Sequence, residues 1–321
     1  MTRPVPLLLL LLAPAFALSL LAGRVWIDPA ATPNAALILA ELRLPRSVLA
    51  LVVGAGLGAA GAAMQGYLRN PLADPGLFGI APMAALGAVA SFWLGLEARP
   101  WALPVLALAG AGAGMALLAL MAGRTASGTS GIALFTLAGL MLASLAGTLT
   151  SLAISMAPNA FAMSEIVTWL MGALTDRGWG EVGIAAPLTL AGLACLTAAA
   201  RGLDALTLGE AVARSLGVEP QRLLAWLVLG VGLTVGSGVA VAGIVGFVGL
   251  IVPHLVRPLT DRRPSRLIVP SALAGALLVL VADSAVRAIP FVTELRLGIA
   301  LSLVGAPFFL WLLLRMRKGL A

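Results

Sequence analysis

The sequence predicts an all-α, polytopic membrane protein with ten transmembrane helices and both termini in the cytoplasm. Three observations lead there. Of the 321 residues, 61% are hydrophobic and 10% are charged, and the mean hydropathy is +1.07; a soluble domain carries about 25% charged residues. Apolar runs close to the roughly 20 residues needed to cross a bilayer recur along the whole chain. Lysine and arginine also divide unevenly between alternate loops, with 13 on the side of the N-terminus and 7 on the other, the bias expected of loops kept inside the cell. This composition excludes a soluble enzyme, a disordered chain and a secreted disulfide scaffold.

The spans are expected over 6–23, 46–66, 79–96, 101–122, 131–155, 182–200, 223–242, 245–257, 267–285 and 297–314. They form a single domain, 1–321, with no soluble domain appended. The first begins Met1-Thr2-Arg3 and ends in alternating alanines, like a secretory signal. Its apolar run continues to Ala22, longer than a signal core, so a retained helix is expected. The eighth is short and interrupted by glycine and proline, which predicts a broken or tilted helix. The stretch 156–181, with Trp169, Trp179, Glu165 and Glu181, reads as an interfacial helix with aromatic anchors.

Single residues narrow the chemistry. The chain has one histidine, His254, one cysteine, Cys195, and one lysine, Lys318. No intrachain disulfide and no Cys/His metal site follow from that set. Lys318 follows Arg317 rather than a glycine loop, so the chain lacks a phosphate-binding Walker A motif, and any nucleotide hydrolysis belongs to another polypeptide. The net charge of +7 comes without a basic stripe interleaved with aromatics, so it reads as loop bias rather than nucleic-acid binding. Acidic residues are scarce deep in the spans, which argues against an ion-coupled secondary transporter.

Gly56 to Gly61 fits G-x-G-x-x-G, but it lies inside an apolar span rather than at a strand-to-helix turn. Gly54, Gly58 and Gly61 instead form a small-residue face for close helix packing. Arg43-Leu44-Pro45-Arg46 precedes the second span. Its proline disfavours helix at Leu44, and its arginines read either as interfacial snorkels or as cationic anchors for an acidic partner. Asn70-Pro71-Leu72-Ala73-Asp74-Pro75 makes a rigid corner.

In 208–218, Gly209 and Gly217 bracket a short helix. Glu210 and Arg214 are spaced to pair, and Val212 and Leu216 form an apolar ridge. The helix lies flat on lipid or inserts into a partner's groove. His254, in Pro253-His254-Leu255-Val256-Arg257, reads as a helix-end hydrogen-bonding group, with a pH switch or metal ligand as the other reading. Asp283 and Arg287 lie one turn apart within lipid depth and must face protein or water; spacing leaves open whether they bond each other.

In order, RLPR at 43–46, GAAMQ at 61–65, RNPLADPGLFGI at 69–80, LGEAVARSLGV at 208–218, AGIVGFVGLIVPHLVR at 242–257, Ala282-Asp283 with Arg287, and GAPFFLWLL at 305–313 resemble the FecCD-like permeases of type II ABC importers. These take up iron–siderophores, haem and vitamin B12. The resemblance covers nearly the whole chain from about Ala22. It implies a multi-pass subunit of the bacterial inner membrane that pairs with a second copy, sits on two cytoplasmic ATPase subunits and receives a periplasmic binding protein. ATP and magnesium would belong to the ATPase, and this chain would hold no cofactor.

By matching motif, Arg43, Arg46 and Arg287 would dock the binding protein. Gly209, Glu210, Ala213, Arg214, Leu216 and Gly217 would couple to the ATPase. Thr129 and Ser130 would lie near the gate. Gln65, Asn70, Pro71, Asp74, Pro75, Pro253, His254, Arg257 and Asp283 would be structural motif residues. The substrate would be a bulky metal chelate, an iron–siderophore or haem first, with cobalamin as the alternative. The family's Glu-Leu-Pro before the last helix is Glu294-Leu295-Arg296 here.

Overall fold

A computed structural model describes residues 4–96, 99–123, 129–289 and 294–318. Helices α1 (Pro4–Leu21) and α2 (Ala35–Ile38) come first, and α2 runs through a wide π-turn, Leu39–Arg43, into α3 (Leu44–Tyr67). There follow α4 (Ile80–Trp93), α5 (Ala102–Gly123), α6 (Thr129–Ser155), α7 (Ala160–Leu170) and α8 (Trp179–Leu206). The chain continues through α9 (Glu210–Ser215), α10 (Pro220–Ala242), α11 (Val248–Val256), α12 (Pro264–Ala288) and α13 (Leu297–Lys318). No strand occurs among the described residues.

Among the described residues, eight of the ten expected spans are helices long and apolar enough to cross a membrane. The other two are α4, with 14 residues, and α11, with 9. At 1.5 Å per residue these reach about 21 and 14 Å, short of a roughly 30 Å hydrocarbon core. Both are cut at their start by left-handed backbone, at Gly79 (φ 77°) and at Phe247 (φ 66°). The interruption expected in the eighth span is therefore a true break between α10 and α11.

Two local expectations change. Leu44 is helical, at φ −63° and ψ −51°, although Pro45 follows it. The proline lacks an N–H and its ring crowds the carbonyl one turn back; the preceding π-turn widens the helix where those two demands fall. Helix therefore begins at Ala35, well before the expected 46. Trp169 is not an interfacial anchor: it is 8% exposed and packs with its ring 6.5 Å from that of Phe92. The α7 helix itself is present, capped by Asn159, whose side chain accepts the Ala162 N–H at 2.8 Å.

The core is built on α3, which is buried along most of its length. It runs antiparallel to α12 with the two main chains in contact. A Cβ at Gly54 would lie 2.3 Å from the carbonyl oxygen of Gly275, and one at Gly58 would lie 2.1 Å from that of Ser271. Gly61 meets α11 in the same way, at the carbonyl of Gly249. The glycine face read from the sequence is thus the seam where three helices touch.

Replacing Gly58 by valine is expected to cost about 1–3 kcal/mol through overpacking, read as a lower thermal midpoint in detergent. Gly112→Ala, at a site with nothing within 4 Å of the new methyl, is expected to leave the midpoint unchanged.

Candidate functional site

The antiparallel seam brings polar residues together at both of its ends. At one end, Arg46 of α3 reaches Asp283 of α12. Its Nε donates to both carboxylate oxygens at 3.1 Å, and its Nη2 to Oδ1 at 2.8 Å. The same guanidinium donates to Glu294, just before α13. Arg287 completes the group, with its Nε 3.1 Å from Asp283 Oδ2 and its Nη2 donating to the Ser19 carbonyl of α1 at 3.1 Å. Asp283 and Arg287 do pair, and they share the carboxylate with an arginine 237 positions away in sequence.

Asp283 is 1% exposed, Arg287 4% and Arg46 12%. Single charges at such depth cost several kcal/mol each, but these two guanidinium groups and two carboxylates sum to zero. Arg43 stands beside them and donates to the main-chain carbonyls of Ala22 and Val25. Ser19 and Ser47 bridge α1 to α3 at 2.8 Å.

Above the group opens a cleft of about 880 Å³, lined among others by Arg24, Arg43, Arg46, Arg177, Arg287, Glu41, Asp176 and Glu294. Five guanidinium groups there face three carboxylates. The three arginines expected at a docking surface therefore share one cleft, but two of them are spent on carboxylates of their own chain. Arg177 was not singled out from sequence, and Glu294 entered only as the first residue of the Glu-Leu-Arg that replaces the family's Glu-Leu-Pro. Glu294 carried a signal, as the only acidic residue after Asp283; Arg177 carried none.

The other end of the seam holds the remaining motif residues. Arg257 Nη2 donates to Gln65 Oε1 at 2.7 Å, and the Gln65 amide donates to the carbonyls of Gly249 and Leu250 at 3.3 and 3.4 Å. This clamps the end of α3 to α11. In the corner after α3, Asn70 accepts the Leu72 N–H at 2.9 Å and Asp74 that of Gly76 at 2.7 Å, so the side chains shape the bend that Pro71 and Pro75 impose. Pro253 is buried within α11. His254 is not the hydrogen-bonding group expected at the helix end: its Nδ1 is buried without a partner among the described residues, and its ring sits edge-on to Phe308 at 5.9 Å.

Beyond α8 lies α9, held between Gly209 (φ 100°) and Gly217 (φ 83°). Arg214 bonds Glu210 at 2.7 Å. Ala213 is buried beneath, while Val212 and Leu216 are 43% and 63% exposed. Thr129 and Ser130 open α6, and their side chains lie outside what the structure describes. Among the described residues, no cluster of three His, Cys, Asp or Glu side chains could hold a metal ion.

A profile described as the FecCD transport family matches residues 8–315. The chain belongs to that family. The Fe(3+) dicitrate transport system permease protein FecD of Escherichia coli (strain K12) is 41% identical over 281 residues, covering 87% of this chain and 86% of that protein. The vitamin B12 import system permease protein BtuC of E. coli O9:H4 (strain HS) is 37% identical over 309 residues, covering 95% and 92%. A solved structure titled as an inward-facing, metal-chelate type ABC transporter superposes with a TM-score of 0.88 at 30% identity, covering 96% of this chain and 97% of that one. Transport, not covalent catalysis, is the business of the FecCD family.

Within this FecCD chain, the charge group is open to two tests. Asp283→Asn leaves Arg46 and Arg287 buried against a neutral amide, and is expected to cost about 3–5 kcal/mol, read as a large fall in thermal midpoint. For Glu294, burial pushes the carboxyl up, but the hydrogen bond and charge of Arg46, with help from Arg287 and Thr175, hold it below its ordinary value. A carboxylate depressed in the folded state stabilises the fold above its ordinary pKa of about 4.3, and that contribution is lost as pH falls through the lower folded value. The midpoint difference between the wild type and Glu294→Gln is therefore expected to be constant near neutrality and to shrink below about pH 4.

Proposed function

We infer that this chain is the permease subunit of a binding-protein-dependent ABC importer that moves a bulky metal chelate across the bacterial inner membrane. The observation that carries this reading is the end-to-end match to permeases of such importers. Two of these name an iron–citrate and a cobalamin system. An iron chelate, siderophore or haem is the first reading and cobalamin the second.

In this reading ten segments cross or enter the membrane, with α4 and α11 as the short ones, and both termini lie in the cytoplasm. Two copies would form the passage between them. The chain performs no covalent step. The energy comes from ATP, with magnesium, in two separate ATPase subunits docked on α9. Support for that contact comes from the shape of α9: a short helix pinned at both ends by left-handed glycines, with Val212 and Leu216 turned outward. Such a ridge fits a hydrophobic groove.

The periplasmic binding protein would dock over the arginine cleft, where Arg43, Arg46 and Arg287 meet. Support for opposite faces comes from α3 and α8. Trp179, at the start of α8, donates to the Ala40 carbonyl near the arginine end at 3.1 Å, whereas Asp204, near its other end, bonds Ser265 at the start of α12.

The decisive experiment reconstitutes the chain with its ATPase in proteoliposomes and adds the binding protein with radiolabelled ferric citrate or cyanocobalamin. Uptake is expected only with ATP; uptake by the chain alone on an ion gradient overturns the reading. In the same preparation Leu216→Asp is expected to reduce ATPase co-purification about tenfold or more by placing a charge in the groove.

A further inference from the structure

Of the cleft arginines Arg43, Arg46, Arg177 and Arg287, three have partners among the described residues. Arg46 is committed to Asp283 and Glu294, and Arg287 to Asp283 and Ser19. Arg43 is committed to two main-chain carbonyls. Arg177 makes no hydrogen bond or ion pair with a described residue. Its Nε is shut off from solvent without an acceptor, as are Nε and Nη1 of Arg287, but Arg287 keeps its ion pair with Asp283 and its bond to Ser19. A desolvated guanidinium nitrogen left unpaired is costly, and an incoming anion recovers that cost.

The segment that carries Arg177 is fixed in place. Gly172 (φ 71°) turns the chain after α7, the Ala173 N–H bonds the Ala242 carbonyl at 2.8 Å, and Leu174 is fully buried. Asp176 takes left-handed backbone (φ 58°), and Gly178 donates its N–H to Glu181 at 2.8 Å to start α8. Burial holds the Arg177 pKa below the ordinary guanidinium value; the charges of Glu181 and Asp176 offset this only in part, and Arg296 adds to it. The group is thus preorganised, under-neutralised and open to the cleft.

We propose that Arg177 is the guanidinium with which this cleft grips an acidic side chain of the docking binding protein. The assignment rests on the docking role given above to the arginine end. It differs from that reading in which residue makes the intermolecular pair: Arg46 and Arg287 shape the floor, and Arg177 supplies the free valence. A planar fork that can hold a carboxylate with two parallel bonds suits this task better than a point charge.

The test uses the assembled permease–ATPase complex in lipid nanodiscs, with the binding protein of the same transport system as the probe on a sensor surface. Arg177→Gln is expected to weaken association about tenfold and to flatten its salt dependence. Arg177→Lys, which keeps the charge, is expected to recover part of the loss. Because no internal bond is removed, the thermal midpoint of Arg177→Gln is expected to equal or exceed that of the wild type.

A fall in midpoint matching the loss of binding would make Arg177 a purely structural residue and overturn the assignment. Wild-type affinity and salt slope in Arg177→Gln also overturn it, while the docking reading survives if Arg43→Glu still weakens association. If neither variant changes association, the docking reading falls as well. Free citrate supplies the last arm: citrate that binds the complex without the binding protein, and loses that binding in Arg177→Gln, would assign the carboxylate to cargo and overturn the protein–protein pair.

Discussion

Contact between the main chains of α3 and α12 is the constraint on which the rest of this molecule depends. Helices packed through ordinary side chains lie about 8–10 Å apart. Here Gly54 and Gly58 meet Gly275 and the Ser271 carbonyl with no room for a methyl group. That closeness sets the antiparallel register. It puts Arg46 opposite Asp283 at one end and Gly66 against Pro264 at the other. Side chains of ordinary reach then join segments hundreds of residues apart.

The register also explains why charges are tolerated at such depth. Asp283 alone would be expensive in a nearly dry bundle. Two guanidinium groups bracket it, Glu294 balances the second charge, and the Ser19 carbonyl of α1 accepts one further bond from Arg287. The group thereby ties α1, α3, α12 and the approach to α13 into one body. The cleft above it keeps a surplus of positive charge, so the same residues that secure the fold also set the electrostatic character of the surface.

Much of this was legible in the sequence, because lipid imposes a coarse rule on composition and length. Eight spans, the glycine seam, the break before α11 and the glycine-bracketed α9 all follow from local pattern. What was not legible depends on contacts between distant segments. Arg46 and Asp283 find each other through helix register, which no window of sequence contains. Trp169 looks like an anchor by residue type, yet α7 folds back so that its ring meets Phe92. The π-turn before Pro45 joins a stretch that reads as loop to the helix behind it. The arginine motif drew attention to three cations, and only their surroundings reveal which are already occupied.

Helix α12 runs the length of the seam. Its 25 residues span about 37 Å, most of the thickness of a bilayer, and both tips are fastened. Ser265 is held by Asp204 through two bonds of 2.9 and 2.5 Å, at the corner where α8 gives way to α9. Asp283 is knotted to Arg46 at the far tip. The helix is a tie rod welded at each end, so a shove on the α8–α9 elbow loads the Asp204–Ser265 rivets. Pro270, which removes one rung of the ladder, is where such a rod flexes.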